Sequence, residues 1–236
     1  MVHVVTLRGL SHAARIYTGG MGVEIPLFEL GVVLFPHMPL GLHVFEERYR
    51  DMLRDCEEQG ISFGVIAIRE GVEVGGGAMA HEAGTLAQIR RVDKLDDGRA
   101  NLLVTGASRF RVVRRITDRP YPAGEVEYLE DAEGDAQATQ ALAVDVRAAF
   151  ERYAATLQQL AKQQPGVDEL PDDPELLSYL VAASLQVEIA HKQRMLEADS
   201  AEERLRMCVA LLRREEALLD RMLARSNPHI ATISPN

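Results

Sequence analysis

Two prolines set into an apolar run constrain this chain more than any other feature. Residues 25–52 read IPLFELGVVLFPHMPLGLHVFEERYRDM. Val32, Val33, Leu34 and Phe35 form an apolar run too short for a helix, which reads as a short buried strand, and Pro36 and Pro39 then forbid regular hydrogen bonding. Beyond them Phe45, Tyr49, Met52 and Cys56 recur at spacings of 4, 3 and 4. That spacing is a single helical face, and Gly60 supplies its stop. The segment therefore predicts a buried strand, a Pro-punctuated crossing and an amphipathic helix in immediate succession.

With 236 residues, 47% hydrophobic and 26% charged, the chain has material for one large or two small domains with real cores. Six Phe, six Tyr and no Trp make those cores mainly aliphatic. No uncharged apolar run approaches the roughly 20 residues that cross a bilayer, so no transmembrane helix is expected. Cys56 and Cys208 lie far apart in sequence on predicted apolar helix faces. They read as buried, reduced, inert thiols of a cytoplasmic protein, not as a disulfide framework. Residues 1–20 carry no clear period and lack the apolar core and cleavage site of a secretory signal. They read as a disordered extension, or as the result of a start codon placed ahead of Met21, and the expected home is a bacterial cytoplasm. The net charge of −10 disfavours nucleic acid and anionic membrane. One island opposes that balance: Arg90, Arg91, Lys94, Arg99, Arg109, Arg111, Arg114, Arg115 and Arg119 outnumber Asp93, Asp96, Asp97 and Asp118.

The hydrophobic period divides the chain. From Glu24 to about Glu130 it is strand-like. Residues 61–68, ISFGVIAI, are apolar on both alternating faces and predict a central strand covered above and below. Arg109-Phe110-Arg111-Val112 alternates, which points Phe110 and Val112 inward and Arg109 and Arg111 outward. Asp96-Asp97-Gly98 predicts a hairpin turn, and Val126 and Tyr128 a last strand before the acidic break from Glu130 to Asp135. After Asp135 the period becomes helical. Leu142, Val146, Ala149, Tyr153, Leu157 and Leu160 share a face that Pro165-Gly166 terminates. Asp173-Pro174 starts another helix. Ser200 with Glu203 is a capping-box pattern ahead of a final helix striped by Leu205, Cys208, Leu212, Glu215, Leu219 and Met222. The expected divisions are 1–20 as extension, 21–131 as a strand domain, 136–226 as a helical bundle and 227–236 as tail.

The order of these pieces resembles the N-terminal, substrate-recognising domain of Lon proteases. Pro26, Leu27, Val33, Leu34, Phe35, Pro36 and Leu40 stand in the places of that family's signature residues, with one departure. Gly41 and Leu42 follow Leu40 where a Pro-Leu pair is more usual. The stretch from Gly84 to Val112, with Gly106, Arg109 and Phe110, resembles a second family segment, and Lys192-Gln193, Leu196-Glu197 and Arg204-Leu205 a third. The likeness runs from about residue 24 to 225. It implies an α+β fold: a PUA-like β pseudobarrel with one early helix, followed by an α-helical bundle. Gly106 is expected at a sharp strand bend or bulge, where a side chain would clash.

Motifs of chemistry are missing. No Gly-x-x-x-x-Gly-Lys-Ser/Thr loop is present, and Gly75-Gly76-Gly77 reads as a hairpin tip or loop. His81-Glu82 opens a zincin-like dipeptide, but Thr85 stands where the second histidine belongs. His37 and His43, near Glu46 and Glu47, match no ligand spacing. Gly106-Ala107-Ser108 is no nucleophile elbow, and Asp172-Asp173 and Glu215-Glu216 read as caps and solvated faces. Full-length Lon carries an ATPase module and a protease domain with a Ser-Lys dyad; this chain reaches Asn236 with neither. No catalytic, cofactor-binding or metal-binding residue is expected, and no cofactor.

The resemblance implies a non-enzymatic, polypeptide-binding module of protein quality control. Its expected partners are unfolded or client polypeptides, and beyond them a protease or chaperone. An apolar groove between barrel and bundle, or an exposed strand edge, would take an extended peptide. Met38, Met52 and Met79 read as core filling before adaptable surface, and no individual peptide-contacting residue stands out. Two other readings stay open. One is an RNA-binding PUA-like domain using the Arg90–Arg119 island, although its one aromatic, Phe110, faces inward. The other is a peptidase-associated hydrolase.

Overall fold

The computed structural model describes residues 22–71, 73, 75, 77, 79–161 and 169–226, without the side chains of the last four. The expected extension and tail, Gly76 and the Pro165-Gly166 terminator lie outside them. Two strands, β1 (Val23–Leu30) and β2 (Pro39–Val44), precede helix α1 (Glu47–Gln59), and β3 (Phe63–Glu70), β4 (Met79–Lys94), β5 (Ala100–Ile116) and β6 (Ala123–Leu129) follow. The sheet order is β2-β5-β4-β3-β1-β6, and β5 also pairs with β6, which closes a ring. Only β1 and β3 run parallel. Among the described residues four helices follow: α2 (Ala136–Ala161), α3 (Pro174–Ser184), α4 (Ile189–Glu197) and α5 (Ala201–Ser226). The class is α+β, as the sequence predicts.

Two compact units emerge: residues up to Asp131 with Ala182–Glu197, and Ala132–Val181 with residues from Ala198 onward. Helix α4 thus groups with the strands. In the strand unit, Phe28, Tyr49, Met52, Phe63 and Val104 belong to one buried cluster, and Leu27, Ile66, Phe110 and Val126 to a second. The Phe28 and Tyr49 rings lie 4.1 Å apart, centroid to centroid. Tyr49, Met52 and Cys56 share the buried face of α1, and Gly60, at φ 65°, donates its N–H to the Cys56 carbonyl. That left-handed stop favours glycine. In β3, Phe63 through Ala67 are buried on both faces. The Asp96-Asp97-Gly98 turn joins β4 to β5, with Gly98 at φ 80°.

Residues 32–35 correct the sequence reading. They form no strand, although Leu34 and Phe35 are buried. Their carbonyls are taken up one at a time: Thr85 Oγ1 donates to Leu34 O at 2.6 Å and Met38 N to Phe35 O at 3.2 Å. Pro39 does not break a strand but begins one, where a missing N–H is tolerated. Phe45 precedes α1 instead of joining its buried face, and it is 45% exposed.

In the helical unit the predicted starts hold. Asp173 Oδ1 accepts from Leu176 N at 2.8 Å, and Ser200 Oγ from Glu203 N at 3.2 Å. Glu203 reaches back one residue further than a standard capping box, to Asp199 N at 3.0 Å. Leu205, Cys208 and Leu212 are fully buried, but Met222 is 56% exposed, so the stripe on α5 ends at Leu219. Glu215, the charged member of that stripe, pairs with Arg214 at 3.0 Å. Arg204 is buried, its guanidinium 3.8 Å above the Tyr179 ring and its Nε donating to Ser178 Oγ at 2.8 Å.

Burial also sets the response to alkali. It pushes the Cys56 and Cys208 thiols from 9.0 to about 12, and the Tyr49 and Tyr121 hydroxyls from 10.0 to about 12. The Asp55 carboxylate, which accepts from Tyr121 at 2.7 Å, adds to the Tyr121 shift. Raised values in the fold mean that the unfolded chain releases these protons first. The stabilisation is complete below about pH 9 and is lost as pH climbs toward about 12. Urea midpoints should therefore agree between pH about 7 and about 8.5 and fall steeply above about 10. A midpoint unchanged between pH about 9 and about 12 would contradict it.

Candidate functional site

Strand β2 is an edge. Among the described residues it pairs only with β5, in the antiparallel register Pro39↔Thr105 through Val44↔Ala100. Just before it, His37 N donates to Gly106 O at 2.9 Å and Gly106 N to Met38 O at 3.0 Å. His37 and Met38 together thus face one residue, a bulge with His37 at φ 65°. These bonds fix the parity of the ladder. Gly106 points its backbone at β2, so Val104, Leu102 and Ala100 do too, and Leu40, Leu42 and Val44 answer them. The backbone groups of Pro39, Gly41 and His43 therefore face away from the sheet, and all three residues are exposed. Side chains alternate in step, so Leu40 and Leu42 pack against the first core cluster.

The surroundings of this edge are open. A Cβ built on Gly41 would have nothing within 4 Å. His43 Nδ1 lies 2.7 Å from Asn101 Oδ1 across the ladder, and its ring stacks at 5.9 Å and 23° on exposed Phe45. Beyond Phe45 a clamp of polar contacts ties three loops together. Glu46 Oε2 accepts from Arg48 Nε at 3.1 Å and Gly75 N at 3.2 Å, Arg48 donates to Glu73 O at 3.1 Å, and Glu73 Oε2 accepts from Gly31 N at 2.9 Å. Val32, next to Gly31, is 41% exposed. The edge thus presents outward peptide groups that no other described strand pairs, beside apolar side chains, the chemistry that receives an extended chain. Sequence reading missed Gly41 and His43 as a site. Its one signal was the departure at Gly41.

The basic island proves to be paired charge. Arg91, Lys94, Arg99, Arg111, Arg114, Arg115 and Arg119 each have a carboxylate between 2.6 and 3.9 Å away, on Asp93, Glu57, Asp97, Glu127, Glu125, Glu29 and Glu24 respectively. Arg90 bonds to Thr105 and Gln88. Several partners come from β1, β6 and α1, so the surplus seen in the sequence is cancelled by residues distant from it. Arg109 reverses its predicted direction: it is buried, donates to Leu196 O at 2.6 Å and pairs with Asp131. Phe110 and Val112 face inward as predicted.

The remaining candidates stand apart from one another. His81 lies on β4, a strand, where no helical zinc spacing arises, and its Nδ1 is 3.9 Å from Glu197. Among the described residues no three His, Cys, Asp or Glu side chains form a metal-holding group. Gly75 and Gly77, both at positive φ, belong to the connection between β3 and β4. Met38 and Met52 are buried, Met79 half-exposed. No helix of the described residues is long and apolar enough to cross a membrane. A cleft of about 410 Å³ between α1 and the β4–β5 turn is lined by Arg50, Arg54, Lys94 and Arg99 with Glu47, Asp51 and Glu57, so its charges nearly balance.

Residues 24–214 match the family model of the ATP-dependent protease La (Lon) substrate-binding domain. The Lon protease of Brucella suis is 30% identical over 205 residues, covering 85% of this chain and 24% of its own length. That of Escherichia coli K12 is 28% identical over 199 residues, 84% of this chain and 25% of its own. The chain thus spans about a quarter of the curated relatives it matches. A crystal structure of a Lon N-terminal domain protein from Xanthomonas campestris superposes with a TM-score of 0.58 at 30% identity, covering 80% of this chain and 98% of that one. The N-terminal domain of a Mycobacterium avium complex Lon protease shares the fold at 17% identity, with a TM-score of 0.61 and the same coverage. With its family model matched from Glu24 to Arg214, this chain belongs to the Lon substrate-binding domain family.

Proposed function

We propose that this protein is a non-enzymatic module that binds unfolded polypeptide in the cytoplasm and serves protein quality control through a protease or chaperone partner. The family match over residues 24–214 carries this reading. The apolar, peptide-accepting character of the β2 edge supports it, as does the burial that keeps both cysteines protonated and unreactive near neutral pH. The ring of strands is read as the PUA-like pseudobarrel of that family. The RNA reading loses support because the arginines that would neutralise phosphates already hold carboxylates.

The test offers the protein one polypeptide in two states: reduced and carboxymethylated, hence permanently unfolded, and native with its disulfides intact. Fluorescence anisotropy should register binding of the unfolded state only, with little change between about 50 and about 500 mM salt. Equal indifference to both states would sink the proposal. Tight binding of single-stranded RNA that collapses over the same salt range would favour the alternative.

A further inference from the structure

We propose that the outer edge of β2 is a strand-addition site, opened in this chain by Gly41, and that its occupant is an extended segment of an unfolded polypeptide. The inference rests on the polypeptide-binding reading and assigns that binding to particular atoms. Three outward residues define the site. Pro39 offers a carbonyl but no N–H, while Gly41 and His43 each offer both. An added strand would therefore exchange two hydrogen bonds with Gly41, two with His43 and one with the Pro39 carbonyl.

Position 41 stands at the centre of the outward triplet, and its register shows what glycine contributes there. A proline there would still serve the sheet, because the backbone of residue 41 faces away from β5. It would, however, erase the central donor of the edge and fill with ring carbons the space that is empty around Gly41. Glycine restores the donor and leaves room for a neighbouring backbone. The bulge at His37 and Met38 ends the edge on one side, and the start of α1 ends it on the other, so the site takes a short segment. Half-buried Leu40 and Leu42 flank one face of an added strand, and the His43–Phe45 stack flanks the other.

A second copy of this chain is mismatched in the register that sets Gly41 against Gly41. In an antiparallel pairing of two β2 edges centred on Gly41, each His43 carbonyl meets a Pro39 that has no N–H to give. A flexible client has no such fixed mismatch, and it can supply a donor at every position.

The deciding variant is Gly41→Pro, which gives up no bond of the β2–β5 ladder because the backbone of residue 41 faces away from β5. Binding of a reduced, carboxymethylated protein by the wild type should protect the Gly41 and His43 amides from hydrogen exchange. Gly41→Pro should weaken that binding by about tenfold or more with an unchanged thermal midpoint, and Gly41→Ala, which keeps the N–H but adds a side chain, should weaken it less. Wild-type binding with equal affinity in Gly41→Pro would overturn the site while leaving the proposed function intact. Absence of any binding by the wild type would overturn both. A wild-type dimer that Gly41→Pro converts to monomer would assign the edge to self-association and overturn the choice of occupant.

Discussion

Exchanging Gly106 for alanine should lower the stability of the strand unit by about 3 kcal/mol or more. A Cβ at this position would sit 2.1 Å from the Phe35 carbonyl oxygen and 2.9 Å from its carbon, both backbone atoms that no rotamer change can move. Retreat is blocked as well. Gly106 N is tied to Met38 O and its carbonyl to His37 N, so relief of the overlap requires breaking the bulge that starts β2. Thr85 closes the other side, its Cγ2 3.2 Å from the same Cβ and its hydroxyl holding Leu34 O. For a protein of this size the loss should appear as a fall of roughly 6 to 12 °C in thermal midpoint. Gly41→Ala is the internal control, since an added methyl there meets nothing within 4 Å. Equal midpoints for the two variants would refute the argument.

The second large effect belongs to Arg109. Arg109→Met should destabilise by about 3 to 5 kcal/mol, the range for removing one partner of a buried pair. The guanidinium is 4% exposed and joins three parts of the strand unit: β5, on which it sits, the C-terminal carbonyl of α4 at Leu196, and Asp131 just past β6. Methionine keeps the volume but leaves the Asp131 carboxylate without this cation and the Leu196 carbonyl without this donor. Arg109→Lys should recover only part of the loss, because a single ammonium cannot span two acceptors in the geometry of a planar fork. Urea denaturation of the wild type, both variants and Asp131→Asn, arranged as a double-mutant cycle, should give a coupling between residues 109 and 131 well above that of exposed pairs such as Arg91 with Asp93. A coupling near zero would place the worth of Arg109 elsewhere.

Both positions mark where sequence reading works and where it stops. Gly106 could be suspected from its place between strand-forming residues, since a glycine there invites close approach. The approaching group, the Phe35 carbonyl, lies 71 residues earlier and has no local signature. Alternation with Phe110 predicts an outward Arg109, but the strand is covered on both faces at that point. The second cover includes α4, whose chain passes through the helical unit before it returns. Phe45 failed for a simpler reason: its spacing matched the helix face, yet α1 begins only at Glu47.

The sequence by itself determined the α+β class, the buried faces of α1 and α5, the left-handed stop at Gly60, the acidic and seryl helix starts, and the family. Each of these is written in residues a few positions apart, within reach of one helical turn or one strand pleat. Tertiary structure alone decided that the arginine island is neutralised, that Arg109 is buried, that residues 32–35 cross without pairing, and that Gly41 and His43 turn their peptide groups outward. Those outcomes depend on strand register and on partners brought from distant segments, and register is set by how the whole ring closes, which no local pattern encodes.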